Sequence, residues 1–143
     1  MAGYSGTPLV QKLGIKPGHR ISTVQEPPSF DHALGSLPEN ASFVGSAATD
    51  VDVIVAFQNK LSDFKKQLPL LQNRIKSDGM IWIAWPKKAS GVTTDVSENA
   101  IRDFALKLGL VDIKVCAIDD TWSGLKLVIR KENRAKKKAA GKR

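Results

Sequence analysis

One loop of the sequence collects residue types that bind anions. An apolar run from Met80 to Trp85 ends at Pro86 and leads into a segment with two lysines, a serine, a glycine and two threonines. Ammonium and hydroxyl groups suit an anion, and glycine permits close approach of the backbone to a ligand. The candidate ligand residues are this loop with two aromatic neighbours and a serine from a later turn: Lys87, Lys88, Ser90, Gly91, Thr93, Thr94, Trp85, Trp122 and Ser123.

Carboxylates that could serve as a general base are present, but their spacing has a structural explanation. Asp95 follows the basic loop, and Asp119 and Asp120 occupy a short segment between two apolar runs. Neighbouring acids in such a segment are typical turn formers. The two histidines stand in no metal-ligand spacing, and Cys116 lies within an apolar run, as a small buried residue would. We therefore predict no metal site and assign no catalytic residue.

The positive charge is concentrated at the C-terminal end. The chain has a formal net charge of +8, yet residues 130–143 carry eight of its 22 Lys and Arg and one of its 14 Asp and Glu. The remaining 129 residues are nearly neutral, with 14 basic and 13 acidic residues. Such a basic segment is typical either of a solvated tail or of an arm that binds nucleic acid. The candidate polyanion contacts are Arg134, Lys136, Lys137, Lys138, Lys142 and Arg143.

Length and composition indicate one soluble domain. A chain of 143 residues is about one domain on the usual size range. We place a single domain at residues 1–130 and a disordered basic tail at 131–143. The single cysteine cannot form an internal disulfide, and the start of the chain has no secretory pattern. No apolar run approaches the ~18 residues that a membrane span needs, so we expect a cytoplasmic protein without membrane contact.

Helical and strand-like patterns alternate along the chain. A short helix is expected at 9–13, a strand at 19–25, a second short helix from Ser29 and a weak strand at 41–44. The β-branched run from Val51 to Phe57 predicts a buried strand at the sheet centre. An amphipathic helix follows over 60–76, and a turn at 77–79 leads into the strand that contains Trp82. Another helix, capped by Ser97 or Asp95, precedes a strand over 110–118.

The last two strands decide the fold class. Residues 119–124 are too few for a helical crossover, so the strand over 125–130 must return antiparallel as a hairpin. We predict a Rossmann-like α/β three-layer sandwich with a mostly parallel sheet and a C-terminal antiparallel hairpin. The carboxyl ends of parallel strands share one edge, where we expect Gln25, Phe57, the loop after Trp85 and the turn at 119–124.

Two resemblances extend this interpretation. Residues 50–130 resemble the C-terminal half of class I S-adenosylmethionine-dependent methyltransferases, which implies a truncated form of that fold. Where that family has a glycine-rich cofactor turn after its first strand, this chain has Thr23-Val24-Gln25-Glu26-Pro27-Pro28-Ser29, so we expect no cofactor. Residues 3–131 also resemble a family of small uncharacterised bacterial proteins through four segments: Tyr4-Ser5-Gly6-Thr7-Pro8-Leu9, Leu13-Gly14-Ile15-Lys16-Pro17-Gly18, Trp85-Pro86-Lys87-Lys88-Ala89-Ser90-Gly91 and Thr121-Trp122-Ser123-Gly124-Leu125-Lys126.

Three functions follow from these observations. The first is a non-catalytic binding or regulatory module that recognises an anionic small molecule or a protein partner at the carboxyl edge of the sheet. The second is an enzyme for a phosphate-bearing or nucleotide substrate, in which Lys87 and Lys88 hold charge and Asp95, Asp119 or Asp120 acts as base. The third is a nucleic-acid accessory protein that binds weakly through its basic tail. The missing catalytic constellation favours the first.

Overall fold

The computed structural model describes residues 7–134. Its helices and strands, in chain order, are α1 (Leu9–Lys12), β1 (Arg20–Val24), α2 (Ser29–Leu34), β2 (Ser42–Phe43), β3 (Val51–Phe57), α3 (Leu61–Arg74), β4 (Ile75–Pro86), a 3-10 turn (Lys88–Ser90), α4 (Glu98–Lys107), β5 (Leu110–Ala117) and β6 (Trp122–Ile129). Each helix and strand lies where the residue pattern predicts one, but β1 and β2 are shorter than predicted, β4 begins at Ile75 within the predicted helix, and β6 begins at Trp122 instead of 125. The 3-10 turn lies in the segment that was predicted as a loop.

The strands of residues 7–134 form one six-stranded sheet in the order β2-β1-β3-β4-β6-β5. Strands β1 to β4 pair in parallel, whereas β6 lies antiparallel between β4 and β5. Strand β5 therefore runs in the same direction as the parallel strands. The predicted fold class is confirmed: the protein is a Rossmann-like α/β sandwich whose sheet is mostly parallel and ends in an antiparallel hairpin.

Two apolar clusters cover the two faces of the sheet. Strand β3 is central, and its residues contribute alternately to both clusters because successive side chains point to opposite faces. One cluster, which we name the α3/α4 face, contains Phe64, Leu68 and Ile101 from the two longer helices. The other, the α1/α2 face, contains Leu9 and Phe30 from the two short helices. Burial on both faces explains why β3 reads as a nearly continuous apolar run.

The side chain of Trp82 fixes helix α1 to the sheet. Its indole is fully buried on the α1/α2 face, and Nε1 donates a hydrogen bond to the carbonyl oxygen of Leu13 at 3.0 Å. Helix α1 spans only four residues, which is too short to be stable by itself. Its position therefore depends on Leu9, Val10 and Leu13 in the core and on this bond.

The turn predicted at 77–79 is instead an irregular part of β4. Pairing with β3 advances from Val51 to Val53 while β4 advances from Ile75 to Met80, so extra residues of β4 bulge from the ladder. A Cβ atom at Gly79 would lie 3.0 Å from the carbonyl oxygen of Val51. Glycine is required here by this close approach of two backbones, so Gly79 marks a bulge, not the end of a strand.

Arg74, the last residue of α3, holds the connection between β2 and β3 in place. Its Nε donates to the carbonyl oxygen of Ala48 at 2.8 Å, and its Nη2 donates to Gly45 O at 2.9 Å and to Ser22 Oγ at 2.8 Å. Desolvation lowers the pKa of this guanidinium. The side chain of Arg74 thus joins this short connection to β1 and to the end of α3. The connection itself contains no helix that could cover the sheet there.

Residues 131–134 belong to the domain. They form a helical turn in which Asn133 Nδ2 donates to the carbonyl oxygen of Gly109 at 3.2 Å and Arg134 Nε donates to that of Ile129 at 2.9 Å. Two residues of the segment that we expected to be disordered, Asn133 and Arg134, are therefore hydrogen-bonded to the domain. The rest of that segment lies outside the described residues.

Candidate functional site

The carboxyl ends of the parallel strands meet at one edge, as predicted from the strand order. Gln25 follows β1, Gln58 follows β3 and Lys87 follows β4. The turn that begins at Asp119 lies beside them, because β6 starts at Trp122 opposite the last residue of β4 and Lys87 N donates to Thr121 O at 2.8 Å. We name this set of chain ends the carboxyl edge. Ligands of open α/β sheets bind at such an edge.

The strand order reverses between β1 and β3, which makes this position of the carboxyl edge a topological switch point. Gln25 there has a φ of 54°, in the left-handed region that side chains other than glycine rarely adopt. Holding glutamine in this conformation costs on the order of 1 kcal/mol, and such residues cluster at ligand sites. Local backbone strain therefore coincides with the switch point.

Gln58 lies on the other side of the switch point and carries an unpaired polar atom. The residue is 1 % exposed, and its backbone N–H donates to Ala84 O at 2.8 Å. Its side-chain Nε2 donates to Gln67 Oε1 at 3.3 Å, whereas Oε1 has no partner within the described residues. A buried oxygen without a donor costs about 1–3 kcal/mol. Gln58 is thus a buried acceptor without a protein donor, at the place where this fold class binds ligands.

Sequence reasoning missed Gln58. The sequence did offer a signal for it, because Gln58 is a polar residue that directly follows a buried parallel strand. The carboxyl end of that strand was already predicted to lie at the edge where ligands bind. Its burial was not readable, since that depends on α3 and on the basic loop folding over it.

The hydroxyls of the basic loop bind the loop itself. Ser90 Oγ donates to Lys87 O at 2.6 Å and accepts from Val92 N at 3.2 Å. Thr94 Oγ1 donates to Asn59 O at 2.8 Å and accepts from Val96 N at 3.0 Å. These two candidate ligand residues shape the loop and attach it to the end of β3. Gly91 has a φ of 77° and ends the 3-10 turn, a position that favours glycine.

The N-termini of the two longer helices are already capped by side chains. Ser97 Oγ accepts from Ala100 N at 3.2 Å, which confirms Ser97 as the cap of α4. Asp95 caps a different helix from the one expected, because its Oδ1 accepts from Leu61 N, the first residue of α3, at 2.7 Å. A carboxylate there also complements the positive end of the helix dipole. These side-chain caps make the two N-termini weaker candidates for binding an external anion.

Trp85 and Trp122 do not form one patch. Trp85 packs against the α3/α4 face, whereas Trp122 packs against the α1/α2 face with its ring centroid 5.1 Å from that of Phe57, edge to face. Both side chains are half-buried. Ser123, directly opposite Trp85 in the β4–β6 ladder, is also half-buried. The two aromatic candidates therefore flank the carboxyl edge from opposite sides.

The groups left available at the loop are its lysines and one threonine. Lys87 is half-buried and Lys88 is exposed, and neither forms an ion pair with a carboxylate of residues 7–134. Thr93 is exposed. Lys87 and Lys88 thus place two positive charges without a counter-charge at the carboxyl edge. They belong to a loop whose shape is fixed by its own hydrogen bonds.

Of the three carboxylates considered as bases, Asp95 and Asp119 accept hydrogen bonds from backbone amides, whereas Asp120 is exposed. Asp119 Oδ1 accepts from the N–H groups of Thr121 and Trp122, both at 2.8 Å, which confirms its role as a turn former. Asp95 caps α3, as described above. No group of three or more potential metal ligands occurs among residues 7–134. Burial raises the pKa of the Cys116 thiol, so the unreactive protonated form is favoured.

Of the tail candidates, Arg134 is described, and its guanidinium binds the carbonyl oxygen of Ile129. The others, Lys136, Lys137, Lys138, Lys142 and Arg143, lie outside the described residues, as do Tyr4 to Gly6 of the first resemblance segment.

The model of the protein family of unknown function DUF3052 matches residues 11–131. This chain belongs to that family. The match covers most of the domain described above, and it confirms the resemblance to a family without an assigned function. No curated protein matches the sequence.

Solved structures similar to this DUF3052 protein are methyltransferases. An S-adenosylmethionine-dependent methyltransferase from Aquifex aeolicus has a TM-score of 0.64 at 15 % identity, over 90 % of this chain and 91 % of that chain. Magnesium protoporphyrin IX methyltransferase from Synechocystis, solved with bound S-adenosylmethionine, has a TM-score of 0.59 at 11 % identity, over 85 % of this chain and 74 % of that chain. A ribosomal protein L11 methylase from Lactobacillus delbrueckii has a TM-score of 0.57 at 12 % identity, over 85 % of this chain and 75 % of that chain. At these identities the likeness concerns the fold, and it confirms the predicted methyltransferase-like sheet.

The residues after β1 do not fit a nucleoside cofactor bound through backbone amides of a glycine turn. Pro27 and Pro28 have no amide hydrogen to donate, and Gln25 occupies a left-handed position with a side chain that glycine would lack. We therefore derive no step through S-adenosylmethionine. Among residues 7–134, no helix is long and apolar enough to cross a membrane.

Proposed function

We propose that this DUF3052 protein is a non-catalytic binding module that takes an anionic small molecule at its carboxyl edge. The observation that carries the proposal is the unpaired Oε1 of the buried Gln58 at the switch point. A ligand that donates one hydrogen bond to this oxygen and places an anion near Lys87 and Lys88 would pair the unsatisfied groups of the edge. We expect the ligand to carry phosphate, because two adjacent ammonium groups match a multiply charged anion better than a single carboxylate.

The enzyme alternative has less support from the geometry. Two of its three base candidates, Asp95 and Asp119, already accept hydrogen bonds from backbone amides, and the third, Asp120, is exposed. The nucleic-acid alternative depends on the tail, which is mostly outside the described residues. The proposal therefore rests on recognition of a small molecule at the carboxyl edge. It includes a cytoplasmic location for the protein.

A backbone amide NMR titration of the full chain tests this proposal. ATP and inorganic phosphate are the probes, and S-adenosylmethionine serves as a ligand of the structural neighbours. We expect shifts centred on residues 57–59 and 87–94 with a phosphate compound, and a loss of affinity of about tenfold in Lys87→Gln/Lys88→Gln. The control Lys66→Gln/Lys107→Gln removes the same charge from exposed positions of α3 and α4 and should bind as the wild type does.

A second variant distinguishes specific binding at the carboxyl edge from non-specific attraction of anions to the positively charged chain. Gln58→Met removes the unpaired Oε1 together with the bond from Nε2 to the half-buried Gln67. The two effects on stability oppose each other, so we expect weaker binding with little change in stability. No shifts at millimolar phosphate compound would refute the proposal, as would a response to S-adenosylmethionine alone. Turnover of ATP seen in the same samples by phosphorus NMR would favour the enzyme alternative.

A further inference from the structure

The β5–β6 hairpin presents lysines on a part of the sheet that lies apart from the carboxyl edge. Lys114 of β5 and Lys126 of β6 are directly opposite each other in the antiparallel ladder. Both belong to the α1/α2 face, because the neighbouring pair Cys116 and Gly124 lies on that side, where Cys116 packs against the cluster of that face. Lys114 is exposed and Lys126 is half-buried.

A bulge in β5 creates this pairing. Asp112 pairs with Leu127, but the next pair joins Lys114 to Lys126, so Ile113 is an extra residue. In a regular ladder Ile113 would stand opposite Lys126, and Lys114 would move to the α3/α4 face beside Leu125. The bulge therefore turns an ammonium group toward another ammonium group. Bulges that re-aim a side chain are common next to functional sites.

A third lysine comes from the segment after α1. The Nζ of Lys126 lies 3.9 Å from the position that a Cβ atom at Gly14 would take, and Lys16 follows two residues later. Burial, Lys114 and Lys16 together lower the pKa of Lys126, in that order of effect, so both neighbouring charges act on Lys126. None of the three lysines forms an ion pair with a carboxylate in the described part of the chain. We name Lys16, Lys114 and Lys126 the lysine face.

Like charges directly opposite in a sheet destabilise the folded state. The lysine face therefore costs stability unless a counter-anion binds it. We propose that the lysine face binds the phosphate groups of an anionic ligand, at a site separate from the carboxyl edge. Phosphate fits because several oxygens of one group can accept hydrogen bonds from more than one ammonium. The groups could come from a small polyphosphate or from a nucleic-acid backbone, and the experiment distinguishes these two sources.

The test is a titration of the full chain, observed by amide NMR, with inorganic triphosphate and with a single-stranded oligonucleotide. We expect shifts centred on residues 113–116 and 126–128, together with Gly14 to Lys16. Affinity should fall about tenfold in Lys114→Gln/Lys126→Gln. The control Lys66→Gln/Lys107→Gln has the same net charge and keeps the tail, so it should bind as the wild type does.

The source follows from which probe gives these shifts. A response to triphosphate supports a small polyphosphate, and a response to the oligonucleotide alone supports a nucleic-acid backbone. Shifts confined to residues 87–94 would overturn the proposal while supporting the carboxyl-edge function. Equal losses in both double variants would overturn it as well, because general charge attraction would then explain the binding.

Thermal unfolding without phosphate gives a second readout that does not depend on the double variant. Lys114→Gln removes one of two opposed charges, so its unfolding midpoint should rise, whereas triphosphate should raise the midpoint of the wild type more than that of the variant. A lower midpoint for Lys114→Gln without phosphate, or equal effects of triphosphate on both proteins, would contradict the assignment.

Discussion

The indole of Trp82 shows how one buried polar atom decides the position of an element. Helix α1 has four residues and no side-chain cap, and its C-terminal end is held by the hydrogen bond from Trp82 Nε1 to the carbonyl oxygen of Leu13. The same ring fills the α1/α2 face beneath the helix. Both roles require an indole, because a phenyl ring has no N–H and a smaller volume.

We predict that Trp82→Phe lowers the free energy of unfolding by about 2–4 kcal/mol, from a carbonyl left without a donor and from incomplete filling of the core. Urea unfolding measures this, and hydrogen exchange should show the loss of protection at Leu13 to Ile15. Trp85→Phe is the matched control, since Trp85 is half-buried at the rim. Equal losses in the two variants would show that the bond to Leu13 contributes nothing.

At the scale of elements, the basic loop connects β4 to α4 and is fixed to the segment between β3 and α3. Thr94 binds Asn59 O, and Asp95 binds the first amide of α3. The loop therefore covers the end of β3, where Gln58 is buried. Sequence reasoning placed the loop at the right edge because strand ends are local signals. The sequence did not show the partner of Thr94, because the carbonyl of Asn59 lies 35 residues away in the chain.

We predict that Asp95→Ala lowers stability by about 1 kcal/mol through the lost cap, whereas Asp95→Asn keeps an acceptor and loses less than half of that. Hydrogen exchange should show faster exchange for the first turn of α3 and for residues 92–96. Asp78→Ala changes an exposed carboxylate far from the edge and should be neutral within about 0.5 kcal/mol. The cap has no measurable effect if Asp95→Ala and Asp78→Ala behave alike.

At the scale of the whole molecule, the fold was predictable because its signals are local. The β-branched run of Val51–Phe57, the caps and glycine stops, and the short turn before β6 each fix one element or connection, and together they allow few topologies. What the sequence could not show depends on the register between paired strands. The bulge at Ile113 and the pairing of Lys114 with Lys126 are of this kind, since shifting the register by one residue moves every side chain to the other face.

The front half of the molecule departs from the methyltransferase pattern, and Arg74 binds its short connection between β2 and β3. Residues 44–50 cross from the end of β2 to the start of β3 without a helix. Such a connection exposes backbone carbonyls over the sheet, and the guanidinium of Arg74 binds two of them together with Ser22 Oγ. A planar group with several fixed donors can do this, whereas a single ammonium cannot reach all three acceptors at once.

We therefore predict that Arg74→Lys lowers the free energy of unfolding by about 2 kcal/mol and that Arg74→Met lowers it further, because the buried Ser22 Oγ and the more exposed carbonyls of Ala48 and Gly45 lose a charged donor. Urea unfolding gives the two values, and hydrogen exchange should show the loss of protection confined to residues 44–50 and the adjacent part of β1. Arg130→Met is the control, since Arg130 contacts Glu132 at 3.9 Å and its loss should cost less than about 1 kcal/mol. If Arg74→Lys were as stable as the wild type, the connection would be held by its own backbone, and the shortened front half would need no clamp.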